Sequence, residues 1–265
     1  MSDSIAITSG KGGVGKTTFA VNLSIAQKKL TDKVFLLDTD MGMANSHVLL
    51  GVNPEFTIAD VISGKKNISE VIVRNKNGIN LISGGTASDN LLNMENSKRY
   101  SMLNEIDNYM KENGNVRLLV DIAAGAEDNA LVFSMACDRI VVVIIGEPTS
   151  FVDSYALIKA IFAKSSFKNY CIAVNQVDND EHGKELFDKF QSITTQFLDV
   201  NLHYVGCVKN SGKIRKSIVE RTPIMSSEPK SEISQSFLKI AKKINEAPTN
   251  EWGGLTFLSK VKKRA

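Results

Sequence analysis

The segment from Gly10 to Thr17 constrains the fold of this 265-residue chain more than any other. Its sequence, Gly-Lys-Gly-Gly-Val-Gly-Lys-Thr, has the spacing G-x-x-x-x-G-K-[ST] and lies between an apolar segment, Ile5–Thr8, and a predicted helix, Lys16–Leu30. Glycines allow a loop to wrap around phosphate oxygens with its N–H groups pointing inward, and the following helix adds the positive end of its dipole. The sequence therefore predicts a strand, a phosphate-binding loop and a helix in direct succession.

Short apolar segments alternate with helical segments along the rest of the chain. Several are rich in valine and isoleucine at consecutive positions, which is typical of strands covered on both faces in a parallel sheet. The predicted strands are Ile5–Thr8, Lys33–Asp38, Ile79–Ile82, Arg117–Asp121, Arg139–Ile145, Tyr170–Asn175 and His203–Val208. The predicted helices are Lys16–Leu30, Ser97–Lys111, Asn129–Ala136, Ser150–Phe162, Glu181–Leu198 and Ser231–Asn245. This alternation predicts an α/β fold with a doubly wound, mostly parallel sheet of seven or eight strands.

One domain, residues 1–246, accounts for these segments, and residues 247–265 are predicted to form a linker and a tail. No apolar stretch reaches the roughly 18 residues that a membrane-spanning helix requires, and the N-terminus lacks the parts of a secretory signal. We therefore expect a cytoplasmic location. The three cysteines, Cys137, Cys171 and Cys207, are far apart and form no C-x-x-C pair, which disfavours an iron–sulfur protein.

The residues of the loop have predicted roles in nucleotide binding. Lys16 is expected to reach the β- and γ-phosphates, and the Thr17 hydroxyl is expected to bind Mg²⁺. The backbone N–H groups are expected to surround the phosphate oxygens. The residues predicted to contact the nucleotide here are Gly10, Lys11, Gly12, Gly13, Val14, Gly15, Lys16, Thr17 and Thr18.

A second lysine in the loop narrows the interpretation. The segment from Lys11 to Thr18 resembles the deviant Walker A signature, K-G-G-x-G-K-[ST], of the MinD/ParA superfamily, which belongs to the SIMIBI class of P-loop NTPases. The resemblance implies ATP as the nucleotide and a homodimer in the ATP-bound state, in which Lys11 contacts the partner's nucleotide. Such a cation makes the triphosphate a link between two subunits, and loss of the γ-phosphate weakens that link.

Acidic residues follow two of the predicted strands. Asp38 and Asp40 belong to a segment that resembles the family's D-x-D-x-G-x-x-N switch I, which implies that Asp38 lies near Mg²⁺ and that Asp40 orients the attacking water. Asp121 ends an apolar strand in the Walker B arrangement and is expected to hold Mg²⁺. Gly125 is expected to offer its N–H to the γ-phosphate. The family more often has Pro or Gly where this chain has Ala123, so the path of this loop stays open.

Catalysis and base recognition involve a further set of residues. The predicted catalytic residues are Lys11, Lys16 and Asp40, and the sequence shows no strong base for water activation, which predicts slow hydrolysis. Asn175 ends a predicted strand, and the family resemblance implies that it contacts adenine. Asn175 and Asp178 also have the spacing of N-K-x-D, which reads guanine in GTPases. The lysine of that motif is missing, so the sequence favours ATP.

The segment from Gly146 to Lys159 resembles the E-P-T-S-x-x-D-A-Y-A-L-I-K stretch of the FlhG/FleN branch of the superfamily. With the other motifs, the similarity covers roughly residues 5–245. The resemblance implies a regulator of flagellar number and placement that works with a protein partner of the flagellar or polar machinery. A MinD-type regulator of the division site stays open as an alternative.

Nucleic-acid binding is a further alternative, because a ParA-type ATPase that partitions DNA or cargo would bind DNA through a basic surface. A basic cluster follows the last predicted strand, and it consists of Lys209, Lys213, Arg215, Lys216 and Arg221. Lysine and arginine contacts to phosphates would make such binding fall steeply with salt. The small net charge of +3 does not favour this function by itself.

The tail has the pattern of a short basic amphipathic helix. At about 100° per residue, Leu255, Phe257, Leu258 and Val261 share one side, and most of the basic residues share the other. Such a helix favours an anionic membrane surface, and a dimer would present two copies. We therefore expect peripheral, reversible binding at the inner face of the cytoplasmic membrane. The alternative is a tail that packs on its own domain or stays unstructured.

Overall fold

The structure is a computed structural model that describes residues 3–40, 45–84 and 96–250, with the side chains of 96–99 excepted. These residues form one eight-stranded sheet with helices on both faces. The strands are β1 (Asp3–Thr8), β2 (Val34–Asp38), β3 (Ile72–Arg74), β4 (Ile79–Ile82), β5 (Arg117–Asp121), β6 (Arg139–Ile144), β7 (Asn169–Val177) and β8 (Asn201–Lys209).

The strand order is β3-β4-β2-β5-β1-β6-β7-β8, and β3 is antiparallel to β4 while the other neighbouring strands are parallel. The phosphate loop follows β1, which lies between β5 and β6. The chain passes from β1 toward β2 on one side and returns to β6 on the other. Ligands of such sheets bind at the carboxyl ends of the strands near this reversal, so the fold brings the predicted site residues to one edge.

Helices cover both faces of the sheet. They are α1 (Lys16–Lys28), α2 (Ser46–Leu50), α3 (Ile58–Ile62), α4 (Asn96–Glu112), α5 (Asp128–Met135), α6 (Pro148–Ser165), α7 (Asp180–Phe197), α8 (Gly212–Val219), α9 (Ile224–Ser227) and α10 (Glu232–Glu246), with one 3₁₀ turn at Ile68–Glu70.

Two apolar cores lie on opposite faces of the sheet. Alternate side chains of β1 enter different cores: Ile5 and Ile7 pack with α1 and α10, whereas Ala6 packs with α4 to α7. Because both faces of the central strands are buried, these strands are apolar at consecutive positions. This is the physical origin of the valine- and isoleucine-rich segments in the sequence.

The predicted fold class is confirmed, and the seven predicted strands are all present with boundaries shifted by a few residues. The eighth strand, β3, was not predicted because its three residues are too few for a recognisable two-residue period. The short helices α2, α3, α8 and α9 were also missed, since each spans too few turns for a clear apolar period.

The residues after α10 lie along the opposite edge of the sheet from the phosphate loop. Arg139 Nε donates to the Ala247 carbonyl at 3.0 Å, and Asn169 N donates to Asn250 Oδ1 at 3.1 Å. The predicted boundary at residue 247 stays a prediction. The predicted membrane-binding residues Leu255, Phe257, Leu258 and Val261 lie outside the described residues. In the ranges that the structure describes, no helix is both long and apolar enough to span a bilayer.

Candidate nucleotide site

The phosphate loop joins β1 to α1, as predicted from the sequence. Gly13 and Gly15 have φ values of 81° and 82°, a left-handed conformation that favours glycine. Gly10 packs against the backbone of α6, where a Cβ atom on Gly10 would lie 2.1 Å from the carbonyl carbon of Asp153. A side chain at position 10 would therefore force the loop and α6 apart.

Lys16 and Asp121 form a buried ion pair. Lys16 Nζ lies 2.6 Å from Asp121 Oδ1, and the two side chains are 8% and 0% exposed. Lys16 is the first residue of α1, and Asp121 is the last residue of the neighbouring strand β5, so the two motifs meet at the edge of the sheet. Nucleotide phosphates that bind Lys16 must compete with this carboxylate, because both offer negatively charged oxygens to the same ammonium group.

The predicted magnesium ligands lie at this same edge. Asp38 and Asp121 are paired in register at the ends of β2 and β5, and Thr17 follows Lys16 in the first turn of α1. Burial and the negative charge of Asp121 raise the pKa of the Asp38 carboxyl from 3.8 to about 7. Asp121 Oδ2 is buried and has no hydrogen-bond partner among the described residues.

An orphaned carboxylate oxygen beside a second buried carboxyl fits a divalent cation. Mg²⁺ is bound in proteins through one or two carboxylates together with water and substrate phosphates. Thr17, Asp38 and Asp121 are therefore the residues that would hold it. When bound, the ion would neutralise negative charge on the phosphates.

Four hydrogen bonds hold the segment after β2 at this edge. Thr39 N and Oγ1 each donate to the Asp121 carbonyl at 2.9 Å, and Asp38 accepts N–H groups from Asp40 at 3.1 Å and Ser46 at 3.0 Å. Residues 41–44 lie outside the described part of the chain. The structure places Asp40 next to the two acidic residues, and its role in orienting water stays a prediction.

The loop after β5 continues beside the phosphate loop, which answers the question raised by Ala123. Ile122 N donates to the Ile7 carbonyl at 3.0 Å, and Gly125 N donates to the Ser9 carbonyl at 2.9 Å. In this form, therefore, the Gly125 N–H is bound to Ser9, and the predicted contact with a γ-phosphate requires that bond to break.

Lys11 points away from the other phosphate-binding groups of its own chain. Its Nζ lies 2.5 Å from Glu147 Oε2 and 2.9 Å from Thr149 Oγ1, at the start of α6. The Lys11 and Glu147 side chains are 35% and 53% exposed, whereas Lys16 is buried. The two lysines of the loop thus differ in environment: one serves the internal site, and the other lies at the surface.

A pocket of about 170 Å³ lies beside the loop, between α1, the end of β7 and α8, and it is called the base pocket below because Asn175, the predicted base-contacting residue, lines it. Its lining is mostly neutral: Gly15, Thr18, Phe19, Asn175, Gln176, Val208, Lys209, Asn210, Ser211, Ile214, Arg215, Ile218 and Phe237. Asn175 Nδ2 donates to the Val14 carbonyl at 2.7 Å. Asp178 does not line this pocket. Its side chain is 81% exposed and pairs with His182 at 3.1 Å, so the carboxylate that a guanine reader needs points elsewhere.

Comparison with known proteins decides the family. The ParA family model, described as "NUBPL iron-transfer P-loop NTPase", matches residues 1–245. The chain belongs to the ParA/MinD family of P-loop NTPases. The resemblance inferred from Lys11 to Thr18 is thereby confirmed, and the chain is an ATPase, as predicted.

This ParA/MinD-family chain is also similar to individual members. It is 34% identical over 255 residues to the antiactivator FleN of Pseudomonas aeruginosa, covering 96% of this chain and 90% of that protein. It is 31% identical over 242 residues to the flagellum site-determining protein YlxH of Helicobacter pylori, covering 89% and 80%. The MinD cell division protein of Aquifex aeolicus superposes with a TM-score of 0.74 at 25% identity, over 92% of this chain and 97% of that one.

The iron transfer mentioned in the family description finds no support in the cysteines of this chain. Cys137, Cys171 and Cys207 are free and buried, and burial raises the pKa of the Cys171 thiol to about 12, which disfavours the thiolate that binds metals. Among the described residues, no group of three or more His, Cys, Asp or Glu side chains is placed to hold a metal ion. The nucleotide site is the candidate functional site.

Two features of this site were missed from the sequence. Glu147 and Thr149 belong to the segment that marks the FlhG/FleN branch, and the sequence does not show that they hold Lys11. Gln176 lines the base pocket although it follows Asn175 directly, and neighbours in a regular strand point to opposite faces. The negative charge of Glu147 was the sequence feature that could have suggested its pairing with Lys11. The sequence has no comparable feature that could have placed Gln176 in the base pocket.

Proposed function

We propose that this chain is an ATP-dependent dimerisation switch with slow ATP hydrolysis, and that it regulates flagellar number or placement. The observation that carries the switch is the position of Lys11. Its ammonium group lies at the surface, bound to Glu147 and Thr149, and takes no part in the buried Lys16–Asp121 pair. A lysine placed this way can bind the phosphates of a second subunit that faces it.

The proposed switch is a competition for Lys11. In a single subunit, one carboxylate and one hydroxyl bind its ammonium group. A triphosphate on a facing subunit carries more negative charge and more acceptor oxygens than Glu147, so it favours transfer of Lys11 from α6 to the partner's nucleotide. Hydrolysis and release of the γ-phosphate reduce this charge, and Lys11 returns to Glu147. ATP thus favours the dimer and ADP the single subunit.

The proposed nucleotide is ATP with Mg²⁺. The base pocket presents amide and hydroxyl groups from Asn175, Gln176 and Ser211, and the Asp178 carboxylate is turned to solvent. Guanine recognition depends on a carboxylate that accepts from the base, whereas adenine pairs well with an amide, which has one donor and one acceptor side by side. The lining therefore supports adenine over guanine.

Slow hydrolysis is expected from the groups near the phosphates. Asp38 and Asp121 are the residues that would hold Mg²⁺, so they would not serve as the base that takes a proton from water. Asp40 is the proposed water-orienting residue. With positioning and charge neutralisation as the main catalytic contributions, the chain suits a timed switch rather than a high-flux enzyme.

The flagellar role is supported by similarity to FleN and YlxH, whose names record an antiactivator and a flagellum site-determining protein. The proposed location is the cytoplasm and, reversibly, the inner face of the cytoplasmic membrane through Leu255, Phe257, Leu258 and Val261. A protein partner of the flagellar machinery is part of the proposal. The FleN-like similarity spans α6, where Lys11 is held, so a partner that binds there would sense the nucleotide state.

A DNA-binding role has less support, because most of the basic cluster is paired internally. Lys213 and Lys216 bind Glu228 and Glu220 at 2.6 and 3.7 Å, and Lys209 binds Glu232. Arg215 lines the base pocket. Ion pairs reduce the positive charge that would attract a phosphate backbone, so this face is a weak match for nucleic acid.

The function is tested by counting flagella per cell in a strain that lacks the gene. Complementation with the parent is expected to restore the normal number and position, whereas the Lys16→Ala variant and the chain without residues 255–265 are expected not to. The truncated chain should keep its ATPase activity and lose ATP-dependent sedimentation with anionic liposomes. Normal flagella together with misplaced division septa or lost plasmids would instead support the MinD-type or ParA-type alternative.

A further inference from the structure

Gln176 has a backbone conformation that a glutamine rarely adopts. Its φ is +59°, in the left-handed region, and it lies at an irregularity of β7 where Asn175 pairs with Val208 and Val177 pairs with Lys209. Gln176 therefore opposes no residue of β8 and forms a bulge. This region is sterically unfavourable for a residue with a side chain, so the surrounding structure must maintain the conformation.

The bulge changes where the two amide side chains point. In a regular strand Asn175 and Gln176 would face opposite sides of the sheet, but here both line the base pocket. A Cβ atom placed on Gly15 would lie 2.7 Å from Asn175 Nδ2 and 3.7 Å from Gln176 Nε2. Both amides therefore converge above the last glycine of the phosphate loop.

The two amides differ in what they already bind. Asn175 is 8% exposed and its Nδ2 donates to the Val14 carbonyl at 2.7 Å, so it fastens the end of β7 to the phosphate loop. Gln176 is exposed and makes no side-chain hydrogen bond to any residue that the structure describes. Its amide keeps both a donor and an acceptor for a ligand.

From this difference we infer that Gln176 reads the adenine base, while Asn175 is a positioning residue that holds the phosphate loop. Glutamine and asparagine pair bidentately with adenine, accepting from the N6 amine and donating to a ring nitrogen. The inference rests on the proposed function, since it assumes a purine nucleotide in this pocket. It reassigns base recognition from Asn175, where the sequence placed it, to the next residue.

The test compares Mg-ADP with Mg-IDP, in which a 6-oxo group replaces the amine, by calorimetric titration of the full chain. These diphosphates avoid hydrolysis and ATP-driven association. The parent should prefer ADP by about tenfold, as expected for one bidentate pair. Gln176→Ala should lose this preference and bind ADP about tenfold more weakly. Asn175→Ala should weaken both nucleotides by the same factor and keep the preference.

A second pair of variants separates strain from recognition. Ser166, at the far end of α6, also has a φ of +59° and is exposed. Glycine adopts this conformation without steric cost, so Gln176→Gly and Ser166→Gly should shift the thermal midpoint in the same direction. Only Gln176→Gly should weaken ADP binding and remove the preference over IDP.

Three results would overturn the inference: an ADP preference kept by Gln176→Ala, an ADP preference lost by Asn175→Ala, or a parent that binds ADP and IDP equally. None of these depends on whether the chain dimerises with Mg-ATP. The mass of the Mg-ATP form tests the switch separately, so failure of base reading by Gln176 and failure of the proposed switch are distinguishable.

Discussion

The phosphate end and the base end of the nucleotide site are built from different groups. Around the phosphates, charged side chains neutralise one another, as in the Lys16–Asp121 and Lys11–Glu147 pairs. Around the base, the lining is mainly amides, hydroxyls and apolar side chains. The phosphate end must exchange partners when a nucleotide binds, whereas the base end is already formed. Switching therefore depends on the phosphate end, base selectivity depends on the base end, and both ends contribute to affinity.

Among the changes at the two ends of the site, removing the charge of Lys16 should have the largest effect on nucleotide affinity. Lys16→Ala deletes the group that binds the β- and γ-phosphates and leaves Asp121 buried without its partner. We expect Mg-ADP affinity to fall by about 100-fold or more in calorimetric titration, because a charge-assisted contact is lost and a negative charge remains in the site. Lys28→Ala, at the other end of α1, is the matched control and should bind like the parent. Unchanged affinity of Lys16→Ala would show that the loop assignment is wrong.

The proximity of Asp38 and Asp121 should affect how the free energy of unfolding depends on pH. The pKa of Asp38 is raised from 3.8 to about 7 in the folded chain, so ionisation is easier in the unfolded chain. This group therefore lowers the free energy of unfolding as the pH rises from about 4 to about 7, by on the order of 4 kcal/mol in total. Below about pH 4 the Asp38 carboxyl is protonated in both the folded and the unfolded chain, so it no longer lowers the free energy of unfolding.

Asp38→Asn should remove this pH dependence. In urea titrations without magnesium, the variant should be more stable than the parent at pH 8, with the difference shrinking toward pH 5. With saturating Mg-ADP the order should reverse, because the parent carboxylate can serve the cation and the amide serves it less well. Parallel stability curves for the two proteins from pH 5 to pH 8 would contradict a raised Asp38 pKa.

The surface lysine should respond more weakly, because its ion pair is partly exposed. Glu147→Ala releases Lys11 from α6, and we expect the Mg-ATP dimer to form at about two- to fivefold lower protein concentration. Sedimentation velocity across a concentration series measures this shift. Asp128→Ala is the control: it removes the exposed ion pair between Asp128 of α5 and Lys164 of α6 and should cause no shift. An equal shift in both variants would mean that loss of negative charge, rather than release of Lys11, is responsible.

The smallest effect is expected at Asp178. Because its carboxylate is exposed and pairs with His182 outside the base pocket, Asp178→Ala should change the Kd for Mg-ADP and for Mg-GDP by less than about twofold. A selective loss of GDP binding would show that the N-x-x-D spacing does read guanine, and would place a carboxylate at the base end.

The comparison of the two ends also shows what could be predicted from the sequence. Lys16, Asp38 and Asp121 were placed correctly at one edge because each follows or precedes a strand of a parallel sheet, and the fold brings those ends together. Their positions at this edge follow from motif spacing and topology, whereas the direct Lys16–Asp121 ion pair was not predicted. The positions of the side chains at the phosphate end can therefore largely be predicted from the sequence.

The remaining features depend on contacts that no local pattern encodes. The Lys11–Glu147 pair joins residues 136 positions apart. In the sequence, each of these charged residues taken alone is typical of a solvated surface side chain. The bulge at Gln176 breaks the two-residue period on which strand prediction rests, so the sequence could not show that two adjacent side chains share one pocket. Strand β3 was missed for a different reason, because it has only three residues.

The role of Lys11 is best tested by the mass of the Mg-ATP form, measured by size exclusion with multi-angle light scattering on the parent and on Lys11→Ala. We expect twice the subunit mass for the parent with Mg-ATP and a single subunit with Mg-ADP. For Lys11→Ala we expect a single subunit under both conditions, with Mg-ADP affinity like that of the parent. A parent that stays single with Mg-ATP, or a Lys11→Ala variant that dimerises as readily as the parent, would contradict the role of Lys11 in joining two subunits.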